Sequence, residues 1–237
     1  MSTHQITSMQ KQNLLLAKLP PDELERLHPH LEIVLLSLRQ VIIEPNEPIL
    51  YIYFPVNSLL SLVTVMEDGS TVESGCIGRE GMAGVPILLD ASTTPMQTLA
   101  QIPGQALRIK ASIIKEMFDT GGSLQKLLHR YIHAVIVLGS QSTACNGLHN
   151  IEARLCRWLL MSSDGVGSDS LSLTQEFLST MLGVRRSGVS ETASKLQSKG
   201  LIRYQRGQIQ ILDRKSLEAS ACECYGVVKT EYKRLFG

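Results

Sequence analysis

No apolar run in this 237-residue chain approaches the ~18–20 residues that a membrane-spanning helix needs. The opening MSTHQITSMQKQ lacks the charged-then-apolar order of a signal peptide. A cytoplasmic, globular protein is expected, and at this length two compact units are the better expectation than one. Cysteine is sparse and odd in number: Cys76, Cys145, Cys156, Cys222 and Cys224 are scattered, which argues against a disulfide framework and fits a reducing compartment. Cys222 and Cys224 stand too close together, and too isolated from other ligands, to spell a zinc site, so they read as plain buried thiols. Of the six histidines, only His129 and His133 fall at a metal-ligand spacing, i and i+4. The glutamate of an HExxH motif is missing between them, where Arg130, Tyr131 and Ile132 stand, so interface or capping roles are expected. Neither an enzyme, a resident metal nor a cofactor is expected.

Charge is nearly balanced overall, at +1, but it is not evenly spread. Residues 1–150 hold 10 basic and 13 acidic side chains, net −3, whereas residues 151–237 hold 13 and 9, net +4. A modest cation excess in the C-terminal third is the footprint expected of contact with nucleic acid.

That third contains LSLTQEFLSTMLGVRRSGVSETASKLQSKGLIRYQRGQIQILD, Leu171 to Asp213. Thr174 can cap a helix whose Phe177, Leu178, Met181 and Leu182 recur at offsets of three and four, which gathers them on one face. Gly183 ends it, because glycine accepts the left-handed backbone of a sharp turn. From about Arg185 to Ser198 the periodicity resumes, with Val189, Ala193 and Leu196 inward and Arg186, Ser187, Ser190, Glu191 and Ser194 outward. The outward face is short, polar and rich in donors, as suits a helix that reads base edges in a major groove. Leu201–Tyr204 and Gln208–Leu212 then alternate as strands about Gln205, Arg206 and Gly207, a hairpin with a cation at its tip. Arg203 and Arg206 are candidates for phosphate contacts, which position a protein on DNA without reading sequence.

The block GVRRSGVSETASKLQSKGLIRYQRGQIQILD resembles the DNA-binding domain of the Crp/Fnr family of bacterial transcription regulators. The resemblance implies an α+β architecture: an N-terminal cyclic-nucleotide-binding-type β-roll in residues 1–120, a long dimerisation helix and hinge in residues 121–149, and a C-terminal winged helix-turn-helix in residues 150–237. It implies a homodimer on a palindromic stretch of double-stranded DNA, working with RNA polymerase. The DNA-contacting set expected is Thr174, Arg185, Arg186, Ser187, Ser190, Glu191, Ser194, Arg203 and Arg206. Members that read the best-known half-site carry an arginine after the turn, then a glutamate, and four residues on another arginine. Arg186 matches the first, whereas Ser187 and Glu191 replace the others, so a different operator is expected. Iron-sulfur members carry an N-terminal cysteine cluster, and here no cysteine precedes Cys76.

The remainder of the chain agrees with that outline. Asn13–Leu19 and Asp22–Leu31 look helical, the second following Pro20 and Pro21. From Leu31 to Ile109 short apolar runs alternate with turn residues, among them Glu67-Asp68-Gly69 and Pro103-Gly104, each read as a hairpin turn. YIYFPVNSLLSLVTVMEDGSTVESGCIGREGMAG resembles the family's roll. From Ser123 to Cys145 no proline interrupts, and Leu124, Leu127, Leu128, Tyr131, Val135, Leu138 and Ser142 recur at helical offsets with Ile132, Ala134, Ile136 and Val137 between them. A helix apolar around much of its girth must be buried on several sides, by a second subunit or by its own chain. Asn146, Gly147 and Asn150 mark the hinge. Ile151–Met161 is a helix, SSDGVGSDS a loop, and Arg214–Phe236 a terminal helix or helix pair.

Nucleotide-binding relatives hold the cyclic phosphate with an arginine late in the roll, since a buried anion without a partner costs several kcal/mol. Here no lysine or arginine lies between Arg79 and Arg108, and the only acid after Glu80 is Asp90. Neither cyclic AMP nor cyclic GMP is expected to bind at micromolar levels. Two alternatives to a DNA-binding regulator stand beside it: a ligand-sensing or protein-interaction module whose winged helix does not touch DNA, and an enzyme.

Overall fold

The computed structural model describes residues 3–236, and of Thr3 only its place in the backbone. The fold is α+β, with two antiparallel sheets making a roll and a third making a wing. One roll sheet runs in the order β1 (Glu32–Leu36), β7 (Gly104–Lys110), β3 (Tyr51–Pro55); the other runs β2 (Val41–Ile43), β6 (Gln97–Ile102), β4 (Leu59–Val65), β5 (Thr71–Ile77). Alternation along these strands sends Ile52, Phe54, Leu60, Ile77, Ala100, Leu107 and Ile109 inward, where all are essentially inaccessible. The Asp68-Gly69 turn joins β4 to β5 as a hairpin, closed by Met66 and Ser70 at 2.9 Å.

Pro103-Gly104 is not a hairpin turn. β6 pairs with β2 and β4, whereas β7 pairs with β1 and β3, so the chain crosses there from one sheet to the other. The expected helix over Asn13–Leu19 is also displaced: α1 spans Thr3–Gln12, and only Leu16–Lys18 continues as a single 3-10 turn. Asn13 explains the break. Its buried amide donates to the carbonyls of Pro55 and Gly81 at 2.8 and 3.0 Å, and its Oδ1 accepts from Leu16 N–H, so the side chain competes with the helix for backbone partners. α2 (Pro21–Leu27) starts on its proline, and α3 (Ala111–Asp119) follows β7.

α4 spans Gly122–Leu148. Much of its apolar girth is covered within the chain, by α9 (Cys224–Phe236), by α3 and by β5. Its exposed stripe comprises His129, Arg130, His133, Ile136, Ser140, Thr143 and Ala144. The helix also runs through Asn146 and Gly147, so the break falls at His149 and Asn150. Asn150 caps α5 (Ile151–Val166), its side chain accepting from Ala153 N–H at 2.9 Å. α5 outlasts the expected Met161 by more than a turn, into the SSDGV segment read as loop. Burial explains this: Ser162 and Ser163 lie inside, and Gly165 is packed against Gly78 of the roll.

The roll and the C-terminal unit share one apolar core. Leu59, Val63, Cys76 and Ile102 of the roll cluster with Leu155, Trp158 and Leu159 of α5 and with Phe177, Leu178 and Met181 beyond it. A Cβ on Gly78 would lie 2.2 Å from the Cα of Gly165, so only glycine permits this approach, and Arg79 N–H donates to Gly165 O at 2.8 Å across it.

Candidate nucleic-acid interface

The winged unit assembles from α6 (Gln175–Leu182), α7 (Arg186–Ser198), β9 (Ile202–Gln205) and β10 (Gln208–Ile211). Thr174 Oγ1 accepts from Phe177 N–H at 3.2 Å and so caps α6, and Gly183 ends that helix at φ 61°. α7 buries Val189, Thr192, Ala193 and Leu196 and leaves Arg186, Ser187, Glu191 and Ser194 exposed, with Ser190 half-buried. Arg206 and Gly207, at φ 51° and 76°, make the two-residue turn between β9 and β10. A third strand, β8 (Ser170–Ser172), pairs with β10 and was not read from the sequence, where three residues are too few to show a period of two.

Thr174, Gln175, Glu176, Arg186, Tyr204 and Arg206 surround one groove of about 470 Å³ between the start of α6, the start of α7 and the wing. Neither arginine is salt-bridged among the described residues. Arg203 stands apart, in a neighbouring hollow with Gln197, Tyr204 and Leu212. Arg185 precedes α7 as its cap residue. Glu191 pairs with Lys195 at 2.9 Å, which holds its carboxyl below the usual range, and Ser194 Oγ donates to the Ser190 carbonyl at 2.9 Å. Sequence reasoning missed Gln175 and Tyr204. Tyr204 is half-buried and braces the wing, its hydroxyl donating to Leu173 O at 3.0 Å.

Residues 153–220 match the family model of the Crp-like helix-turn-helix domain. Among solved structures, FixK2 from Bradyrhizobium japonicum is similar at TM-score 0.67 and 15% identity, over 81% of this chain and 98% of that one. The regulator CLP of Xanthomonas campestris, described as responsive to c-di-GMP, gives 0.61 and 16% over 82% and 100%. A CRP-family transcriptional regulator from Thermus thermophilus gives 0.61 and 16% over 80% and 96%. The chain has the Crp/Fnr fold and a Crp-like helix-turn-helix domain. No curated protein sequence matches it.

In this Crp/Fnr fold the segment after Glu80 is buried from Gly81 to Gly84 and packs on α4. Tyr131 of α4 is fully buried, its hydroxyl donating to Met82 O at 2.8 Å and accepting from Met82 N–H at 2.9 Å. Arg79 turns away from the roll's interior, its Nε donating to Asp164 O on α5. Beside it lies a cleft of about 420 Å³ lined by Cys76, Glu80, Asp164, Tyr225, Lys229 and Tyr232 among others. Burial pushes the Glu80 carboxyl up to about 7, although Gly78 N–H donates to it at 2.7 Å.

His129 and His133 do not converge on a common point: His129 meets the Phe118 ring edge-on at 5.0 Å, and His133 Nδ1 lies 3.6 Å from Glu231. The expectation for Cys222 and Cys224 needs correction. They are buried but not isolated, because α4 brings Cys145 and His149 to them across more than 70 residues of chain.

Proposed function

We propose that this protein is a homodimeric, sequence-specific DNA-binding transcription regulator of the Crp/Fnr type. Residues 1–120 would serve as the sensing unit, 121–149 as dimer helix and hinge, and 150–237 as the DNA-binding unit. The groove shared by Thr174, Arg186 and Arg206 carries the reading. A helix N-terminus and two guanidiniums without a salt bridge among the described residues, around one concavity, suit a backbone phosphate with a base edge next to it. On this reading Arg185, Arg186, Ser187, Ser190, Glu191 and Ser194 face the major groove. Arg186 makes the bidentate guanine contact, and Arg203 and Arg206 hold phosphates on either side of the wing. The exposed α4 stripe around Ile136 is the surface for the second subunit, whose two-fold axis matches a palindromic operator. The protein acts in the cytoplasm, engages RNA polymerase, and takes a signal other than a cyclic nucleotide at the β-roll, on the side where Cys76, Arg79 and Glu80 line the cleft.

Recovery of genomic fragments on the purified protein tests this directly. The expected result is one enriched palindrome whose affinity falls steeply with salt, as several phosphate contacts require. Absence of any enriched sequence, with salt-insensitive capture of a protein instead, would favour the interaction-module reading.

A further inference from the structure

Four potential metal ligands meet where α4 ends. Cys145 and His149 sit one turn apart on the last part of α4 and at its C-cap, and Cys222 and Cys224 lie between α8 (Arg214–Ser220) and α9. Their three sulfurs and one ring nitrogen all fall within 4.8 Å of one another. We propose that Cys145, His149, Cys222 and Cys224 form a zinc site of three thiolates and one imidazole, which ties the end of the central helix to the C-terminal helix pair.

Two of the donor pairs already stand at the spacing of a tetrahedron around one small ion, and all four donors lie close enough to close on it. Zinc–sulfur and zinc–nitrogen bonds of ~2.3 and ~2.0 Å put tetrahedral donors roughly 3.3–3.8 Å apart. Cys145 Sγ and Cys222 Sγ are 3.5 Å apart, as are Cys224 Sγ and His149 Nδ1. A cluster with bridging sulfides needs wider separations than these donors have, so the site suits a single ion. All three cysteines are buried, which gives the closed, water-poor surroundings of a structural site.

The surroundings fit the bound form. His149 presents Nδ1 to the sulfurs while Nε2 faces Glu223 at 3.2 Å, so the carboxylate fixes the tautomer that leaves Nδ1 free for a metal. The amide of Gln141 donates to Cys224 Sγ at 3.1 Å, a bond that strengthens when the acceptor is a thiolate. Arg154 and Arg157 are more than nine-tenths buried, carry unpartnered Nε atoms, and are close enough to feel the Cys145 sulfur electrostatically. Neither is salt-bridged among the described residues. A zinc ion with three thiolates and a neutral imidazole carries one net negative charge, which complements these guanidiniums. Loading converts three thiols to thiolates and releases three protons to solvent.

The position gives the site a consequence. One guanidinium nitrogen of Arg154 donates both to Asn146 Oδ1 on α4, at 2.9 Å, and to the Leu182 carbonyl at the end of α6. The ion would therefore hold the break at His149 and Asn150 through which α4 orients the helix-turn-helix, whatever sequence that helix reads.

Metal content of the full chain, purified without chelator, tests the proposal, with about one zinc per chain expected. After stripping, titration with cobalt(II) under reductant should give the visible bands of a tetrahedral ion and near-ultraviolet thiolate-to-cobalt charge transfer, saturating at one equivalent. Cys145→Ser and Cys224→Ser should lose stoichiometric metal, while Cys76→Ser and Cys156→Ser keep it. Cys224→His should retain the ion with weaker charge transfer, which separates loss of a ligand from loss of the fold. Metal-free protein that gives no tetrahedral cobalt bands overturns the proposal, as does full metal retention in Cys145→Ser and Cys224→Ser.

Discussion

The indole N–H of Trp158 on α5 donates to a carboxylate oxygen of Glu73 on β5 at 2.9 Å, inside the core that joins the roll to the winged unit. Ser61 Oγ donates to the other oxygen at 2.6 Å. Burial nevertheless dominates and pushes the Glu73 carboxyl up to about 7, the two hydrogen bonds and the Arg157 charge opposing it only in part. The folded value therefore lies above the ordinary one. The contribution to stability is complete below about pH 4.5 and is lost as pH rises through about 7, to an upper bound of roughly 3 kcal/mol. Trp158 is the only tryptophan, so its fluorescence reports this contact. The urea midpoint should fall between pH 5 and 8 in the unaltered chain and by about half as much in Glu73→Gln, Glu80 supplying the rest. An equal fall in both would mean that Glu73 is not the group that titrates.

Arg186 and Arg206 share one groove but should act differently. On the proposed function, Arg186→Ala removes a base contact and lowers the ratio of operator to random-DNA affinity by ~1–3 kcal/mol equivalent. Arg206→Ala removes a phosphate contact, weakening both by a similar factor and reducing the salt slope by about 1. Fluorescence anisotropy at several salt concentrations separates these outcomes. An unchanged ratio in Arg186→Ala would remove that residue from readout.

Which parts were legible follows from the range of the interactions that make them. The Thr174 cap, the Gly183 turn and the Arg206-Gly207 hairpin are set by neighbours within a few residues, and periodicity placed them to within about two positions. Pro103-Gly104 looked like a hairpin because turn chemistry is local, but which sheet each flanking strand joins is decided by distant partners. The Ser162–Val166 extension of α5 was hidden for the same reason, its polar residues being buried by the roll and by Arg214, whose guanidinium reaches Ser163 Oγ at 2.9 Å. Cys145 and His149 stand at the same i, i+4 spacing as His129 and His133, but more than 70 residues separate them from Cys222 and Cys224, so the four-ligand set shows only in the fold.

Gly78 and Gly165 meet backbone to backbone where the roll docks on α5. A Cβ at position 78 would fall 2.2 to 2.5 Å from three backbone atoms of Gly165, none of which belongs to a flexible side chain. Gly78→Ala must therefore separate the two units, at a cost of about 1–3 kcal/mol or more. Gly226→Ala, on the exposed surface of α9 with no atom near its Cβ position, serves as the control and should be neutral or slightly stabilising. Urea midpoints by circular dichroism give both values, and an unchanged midpoint in Gly78→Ala would show that the docking does not contribute to stability.

Tyr131 occupies the space beside Met82 with both hydrogen-bonding capacities of its hydroxyl used on one backbone unit. Tyr131→Phe leaves the buried Met82 N–H without that acceptor, and a loss of ~1–3 kcal/mol is expected from the urea midpoint. The same substitution removes one oxygen and creates no cation, so it should not confer nucleotide affinity. Titration calorimetry with cyclic AMP and cyclic GMP should show no saturable heat at micromolar concentrations in either form, because Arg79 is turned toward Asp164 O and no other lysine or arginine precedes Arg108 in this segment. Saturable micromolar binding to the unaltered chain would require a phosphate partner outside that segment and would reopen the roll interior as the sensing site.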